Sequence, residues 1–302
     1  MSAAAPVLAV DIGGTKVDAA VVTAEGEVLR ASVSRRPTGR DATREGIAAN
    51  IRAAAVEALA AVPDVRVSAI GVGSAGPVDL PARSVSPLNL PQAEGLVMDD
   101  VLGGLVDGPL TLALDGTCIA LAEHWRGALV GCGNAMAIVV STGVGGGLIL
   151  GGRPVTGASG NAGHLGQTFV RTIEGDAAAA TLEAVAAGPG SVAWAREQGW
   201  AGATGLDLAE SYRAGDPVAV AAVRRSATAV GQAVAAAATL CDLEAVAIAG
   251  GFSQVADDYV DLVAAAAAGA AVHAYARRCR IVRSGLDGDG PLLGAAALAL
   301  QS

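Results

Sequence analysis

Asp11, Gly13, Gly14, Thr15 and Lys16 stand between two largely apolar runs, residues 7–10 and 17–22. A carboxylate at the end of one strand, two adjacent glycines and a hydroxyl make a turn whose backbone N–H groups can take phosphate oxygens. Asp11 is repelled by phosphate itself, but it can hold Mg²⁺ through water. Lys16, the only lysine in the chain, can add positive charge beside such a turn. About 130 residues further on, AMAIVVSTGVGGGLIL (135–150) repeats the pattern, with Ser141, Thr142, Gly143, Gly145, Gly146 and Gly147 predicted in the turn. Between the two, Asp115 closes an apolar run (110–114) and opens a helical stretch. A carboxylate in the positive field of a helix start stays ionised unless it is buried among other carboxylates. His164 sits in a glycine-rich stretch, and one imidazole alone does not make a metal site.

The elements that position these residues follow from periodicity. Both glycine turns read as strand–turn–strand hairpins. Ile47, Ile51, Ala55, Leu59 and Val62 recur at helical spacing over 41–62. Residues 177–187, 217–240, 257–273 and 292–300 read as helices, and 110–114, 244–249 and 281–282 as strands. Gly71, Gly73 and Gly76 have the G-x-G-x-x-G spacing of a dinucleotide site. That motif needs a helix directly after the glycines, and Pro77 and Pro81 follow instead. Two strand–turn–strand units, each followed by helices, predict a duplicated architecture in which both turns serve one site.

Composition narrows the function classes. The chain has 302 residues, 52% of them apolar and only 3% aromatic, and a net charge of −9. That size supplies ample core for one large or two ordinary domains. The charge disfavours nucleic acid as a partner. Cys118, Cys132, Cys241 and Cys279 form no CxxC pair, so neither a disulfide framework nor a thiolate zinc cluster is indicated. No basic-then-apolar leader and no membrane-length apolar run is evident, which predicts a cytoplasmic chain with no membrane partner.

Taken in order, the motifs resemble the ROK family of sugar kinases, in the actin-like ATPase superfamily. DIGGTK (11–16) resembles the family's first phosphate loop and STGVGGG (141–147) its second. Ala249, Gly250 and Gly251 resemble the loop that receives adenosine, and DGDGPLLGAAA (287–297) the closing helix. GSAGPVD (73–79) and residues 86–91 resemble segments lining the sugar cleft. LDGTCIALAE (114–123) resembles the segment with the catalytic aspartate, here Asp115. The resemblance implies an α/β, two-lobed actin-like ATPase (ribonuclease H-like) fold with a mixed central sheet in each lobe flanked by helices. The expected N-terminal lobe is 1–113 plus 288–302, and the expected C-terminal lobe is 114–287.

The implied activity is transfer of the γ-phosphate of MgATP to the primary (6-) hydroxyl of a hexose, with Asp115 as general base. ATP would be held by Asp11 (through Mg²⁺ and water), Gly13, Gly14, Thr15, Lys16, Ser141, Thr142, Gly143, Gly145, Gly146, Gly250 and Gly251. Sugar would be held by Ser74, Gly76, Asn89, Asp115, His164, Gln167 and Glu183. The resemblance further implies a homodimer. Departures from the family pattern modify these expectations. Leu114 and Thr117 replace two asparagines, His164 replaces the sugar-binding glutamate, and Gln167 replaces the histidine that meets both zinc and sugar. The cysteines of the zinc loop are absent from 174–181, so no zinc is expected. Leu114 beside a sugar hydroxyl would leave that hydroxyl unpaired, at ~1–3 kcal/mol. A modified hexose, other than plain glucose or an N-acetylhexosamine, is therefore expected: an amino sugar such as kanosamine or a sugar-like cyclitol. The arginine and alanine bias of a high-GC genome agrees with antibiotic biosynthesis. Glucokinase action on ordinary hexose, or a non-catalytic sugar sensor, stays open. Only ten residues precede Asp11, which leaves no room there for the helix-turn-helix of a ROK repressor.

Overall fold

The computed structural model describes residues 5–39, 41–170, 178–286 and 288–301. Its strands and helices form two compact units. The first takes the chain up to Gly127, with Pro154–Gly163 and the stretch from Leu286 onward. The second takes Ala128–Arg153 and His164–Gly285.

In the first unit, β1 (Val7–Ile12) and β2 (Lys16–Val22) form a hairpin, followed by β3 (Ser34–Pro37), α1 (Arg44–Ala60) and β4 (Ile70–Ser74). Three two-residue strands, β5 (Val78–Asp79), β6 (Ser84–Val85) and β7 (Leu96–Val97), make a small separate sheet. α2 (Met98–Leu102), β8 (Leu110–Leu114) and α3 (Asp115–Arg126) follow. The main sheet has the order β3-β2-β1-β4-β8, with β1 antiparallel to β2 and parallel to β4. Along β1 successive side chains alternate between faces, and both faces are buried. Leu8, Val10 and Ile12 join Ile47, Ile51 and Met98 in one core, while Val7 and Ala9 join Cys118, Ala122 and Leu293 in another.

The second unit repeats that order. β9 (Ala135–Val140) and β10 (Val144–Leu150) form its hairpin, with β11 (Arg153–Val155) on the outer side, and the sheet runs β11-β10-β9-β12-β13. Its helices are α4 (Leu182–Ala186), α5 (Gly188–Glu197), α6 (Gly205–Arg213) and α7 (Pro217–Cys241). β12 (Ala245–Ala249), α8 (Tyr259–Ala270), α9 (Ala274–Arg277) and β13 (Arg280–Arg283) complete it. α7 begins with Pro217 after Asp216, whose carboxylate accepts the Val218 and Ala219 N–H groups, and it stops at Asp242 with φ of 50°. The final helix, α10 (Gly290–Leu300), belongs to the first unit.

Two readings change. The boundary expected at 113/114 lies after Gly127 instead, because Cys118 and Ala122 of α3 pack into the α10 core of the first unit. The single helix expected over 177–187 is a short 3-10 turn at Ala178–Ala180 and then α4, restarted by Thr181, whose hydroxyl accepts the Ala184 N–H. Residues 171–177, where the zinc loop of the family pattern falls in part, lie outside the described residues, as does Asp287. Among the described residues no helix is long and apolar enough to cross a membrane.

Candidate active site

In the first unit, Asp11 pairs with Asp18 and Ile12 with Val17, which makes residues 13–16 the turn. The Gly13 N–H donates to the Lys16 carbonyl at 2.9 Å. Thr38 holds the turn from behind. Its hydroxyl donates to the Gly13 carbonyl at 2.8 Å and its N–H to the Thr15 carbonyl at 3.0 Å. Those carbonyls are thereby occupied, while no acceptor among the described residues takes the Gly14 or Thr15 N–H. Two free donors at the rim of a turn are what a phosphate oxygen requires. Gly14 is also sterically required. A Cβ there would lie 2.2 Å from Nδ2 of Asn89, so the loop carrying Asn89 lies directly on the turn.

Asp11 lies near two more carboxylates. Asp115 is the first residue of α3 and accepts its neighbour Gly116 N–H at 2.6 Å. Burial, then the field of Asp115, then that of Asp18, push the Asp11 carboxyl up to about 7, against a smaller opposing pull from Lys16. Asp18 itself is held low. Burial would raise it, but Arg35 (2.5 and 3.0 Å) and Lys16 (3.1 Å) outweigh that. Lys16 is thus committed to Asp18. Beneath this group Cys118 is fully buried, and burial with the charges of Asp11 and Asp115 pushes its thiol well up. A divalent cation fits this arrangement, since it would relieve a buried carboxylate that lies in the field of two others. Among the described residues no three His, Cys, Asp or Glu side chains gather into a metal cage, so the ion would be held through water and phosphate, as Mg²⁺ commonly is.

In the second unit the corresponding turn is Ser141–Gly143. The Ser141 N–H donates to the Gly143 carbonyl, and the Gly188 N–H to the Ser141 carbonyl, both at 2.9 Å. Here too no acceptor among the described residues takes the Thr142 or Gly143 N–H. Beside the turn opens a cavity of about 690 Å³, lined by Ser141, Thr142, Arg196, Thr204, Gly251 and Phe252 among others. That volume lies within the range of small-molecule sites. The helices α5 and α6 form much of its wall. The Glu183 carboxylate accepts the Val144 N–H at 2.9 Å with one oxygen and the Gln167 side-chain amide at 3.2 Å with the other.

The sequence profile of the ROK family matches residues 7–302. A relative named N-acetylmannosamine kinase, from Yersinia pseudotuberculosis serotype O:1b (strain IP 31758), is 35% identical over 269 residues, 86% of this chain and 87% of its own. The chain belongs to the ROK family. Among solved structures, the ROK hexokinase of Thermus thermophilus is similar with a TM-score of 0.83 and 30% identity, covering 98% of both chains. A ROK glucokinase from Streptomyces griseus, solved with glucose and AMPPNP, has a TM-score of 0.80 and 29% identity over 98% of this chain and 100% of its own. The actin-like ATPase fold expected from the motifs is the fold of this ROK chain.

The structure sorts the expected site residues into two groups. Asp11, the 13–16 turn, Gly76, Asn89 and Asp115 fall in the first unit, and the remaining expected residues, Ser74 excepted, fall in the second. Several expectations are corrected. Ser74 is fully buried and its hydroxyl donates to the Ala75 carbonyl at 2.9 Å, so it offers nothing to a sugar. Leu114 points into the first unit's core at 2% exposure, so no sugar hydroxyl is stranded against it. Gly145, Gly146 and Gly147 are not in a turn, for they pair with Val139, Ile138 and Ala137 in the hairpin. Gly250 shapes the loop expected to receive adenosine through its backbone, with φ of 98°, while Gly251 lines the cavity. His164 precedes a short 3-10 turn, Leu165–Gln167. Thr38, Asp18 and Arg35 were not singled out by sequence. Asp18 alone had a signal, because a carboxylate opposite Asp11 follows once the hairpin register is written out.

Proposed function

We propose that this ROK protein is an ATP-dependent sugar kinase that transfers the γ-phosphate of ATP to the primary hydroxyl of a modified hexose. The observation that carries the reading is a turn with two free N–H donors that follows Asp11, with Asp115 near enough for its charge to push the Asp11 carboxyl up. Asp115 takes the proton from the sugar hydroxyl as that oxygen attacks the γ-phosphorus and ADP leaves. A base so placed contributes typically ~10²–10⁴-fold, with positioning and charge stabilisation supplying most of the rest. Asp11 would hold Mg²⁺ through water, and the ion neutralises charge on the phosphates. Within the first unit the Gly14 and Thr15 N–H groups are offered to phosphate oxygens; within the second the Thr142 and Gly143 N–H groups are, beside a 690 Å³ cavity that takes a nucleoside. The protein acts as a homodimer, which sedimentation of the 29.4 kDa chain measures directly.

His164 supports a modified acceptor, since it can donate a hydrogen bond where the family's glutamate only accepts. An amino sugar such as kanosamine, or a cyclitol of secondary metabolism, answers that description. The 35% identity to a protein named N-acetylmannosamine kinase favours an N-acylated amino sugar as the second reading. A coupled ADP-release assay across glucose, kanosamine, N-acetylmannosamine and inositols separates these. Turnover highest on glucose would overturn the modified-sugar reading, and no ATP-dependent turnover on any sugar would leave a sensor. Asp115→Asn is expected to lower kcat at least ~10²-fold while AMPPNP still binds.

A further inference from the structure

We propose that Glu183 is a positioning residue for the phosphates of ATP, acting by bracing the Ser141–Gly143 turn rather than by touching nucleotide. The segment from Thr181 to Gly188 anchors this turn at both ends. At its start, the Ser141 carbonyl accepts the Gly188 N–H at 2.9 Å. At its end, the N–H of Val144 donates to the Glu183 carboxylate at 2.9 Å. The carboxylate is itself fixed. Its second oxygen accepts the Gln167 amide at 3.2 Å, and the Leu182 N–H beside it donates to the Thr168 carbonyl at 2.8 Å. Gly143 fits the same arrangement. A Cβ at that position would sit 2.6 Å from the Glu183 carboxylate oxygen, so the glycine is what lets the brace come so close. A turn tied down at both ends presents the Thr142 and Gly143 N–H groups in one orientation before the phosphate arrives. Such preorganisation is the main source of charge stabilisation in phosphoryl transfer.

Gln167 extends the brace. It closes the 3-10 turn that follows His164, the residue expected against sugar. One carboxylate is therefore shared by the phosphate turn and by the segment on the acceptor side. In this chain the shared partner is a neutral amide, which donates to Glu183 whatever the pH.

The inference rests on the kinase reading, and the test separates the two. Calorimetric titrations without sugar would compare Mg–AMPPNP with adenosine, which fills the cavity but has no phosphate to meet the turn. Glu183→Ala is expected to weaken Mg–AMPPNP binding about tenfold or more and to leave adenosine binding unchanged. Glu183→Gln keeps an acceptor for the Val144 N–H and is expected to restore AMPPNP affinity to near that of the unsubstituted chain. Gly143→Ala, which displaces the carboxylate without removing it, is expected to show the same loss for AMPPNP alone. It carries the test should Glu183→Ala fail to fold. Unchanged AMPPNP affinity with a raised sugar KM would overturn the proposal and make Glu183 a sugar ligand. Equal losses for AMPPNP and adenosine would overturn it as general damage to the unit. If the unsubstituted chain bound no Mg–AMPPNP, the kinase reading would fall, and this inference with it.

Discussion

At Asp11 the fold keeps a carboxyl in surroundings that disfavour its charge. An acid held at about 7 in the folded chain, against an ordinary value of 3.8, binds a proton that the unfolded chain has already released. Stability linked to Asp11 is therefore complete below about pH 4 and is lost as pH rises to 7. At pH 8 Asp11→Asn should have an unfolding free energy, from urea titration, higher than that of the unsubstituted chain by a few kcal/mol. The gap should shrink steadily as the pH is lowered towards 4. A constant gap across that range would show that burial and the field of Asp115 do not act on Asp11 in this way. The same variant should lose turnover, since the group that strains the fold is the one proposed to hold Mg²⁺. Gly14→Ala is a sharper lesion, because its methyl group would drive Asn89 off the turn. It should cut kcat/KM about tenfold or more while changing the melting temperature by only a few degrees.

Helix starts decide the shape of the second unit's cavity. α6 is capped by Thr204, whose hydroxyl accepts the Asp207 N–H at 3.1 Å, while the Asp207 carboxylate accepts the Thr204 N–H at 3.0 Å. Thr204→Ala breaks this reciprocal cap and should lower unfolding free energy by about 1 kcal/mol. Because Thr204, Gly205 and Leu206 also line the cavity, nucleotide affinity should fall with it, measured by the same calorimetry. Neither α5 nor α6 was evident from sequence. Gly188, Pro189 and Gly190 look like a loop, yet Pro189 in the first turn is where a helix tolerates proline. The hairpins were legible because apolar runs ending in Asp-Ile-Gly-Gly and Ser-Thr-Gly leave few alternatives. What stayed hidden was which way each side chain points. Leu114 and Ser74 sit in adjacent strands as partners in register, and only the pleat reveals that both are turned away from solvent. Glu183 was expected against sugar from the sequence, but its hydrogen bond to Val144, 39 positions away, leaves no local trace.

Across the molecule, the two five-stranded sheets share one strand order, as the repeated hairpin motif implied, but the chain does not deliver the two units in the same way. Sheet order alone could have been inferred from the repeat. The assignment of α3 could not, because it depends on packing against a helix that begins about 160 residues later. α10 supplies Leu292, Leu293, Ala295, Ala296 and Ala299 to a core shared with β1, β2 and α3. Deleting residues 286–302 should therefore expose the first unit to protease while the second remains resistant, as limited digestion would report. During synthesis, the last piece of the earlier unit leaves the ribosome only after the later unit has fully emerged. Nascent chains stalled when residue 285 has just cleared the ribosome should thus carry a finished second half and an unsealed first half. Until α10 arrives, that first half exposes its apolar sheet face to chaperones.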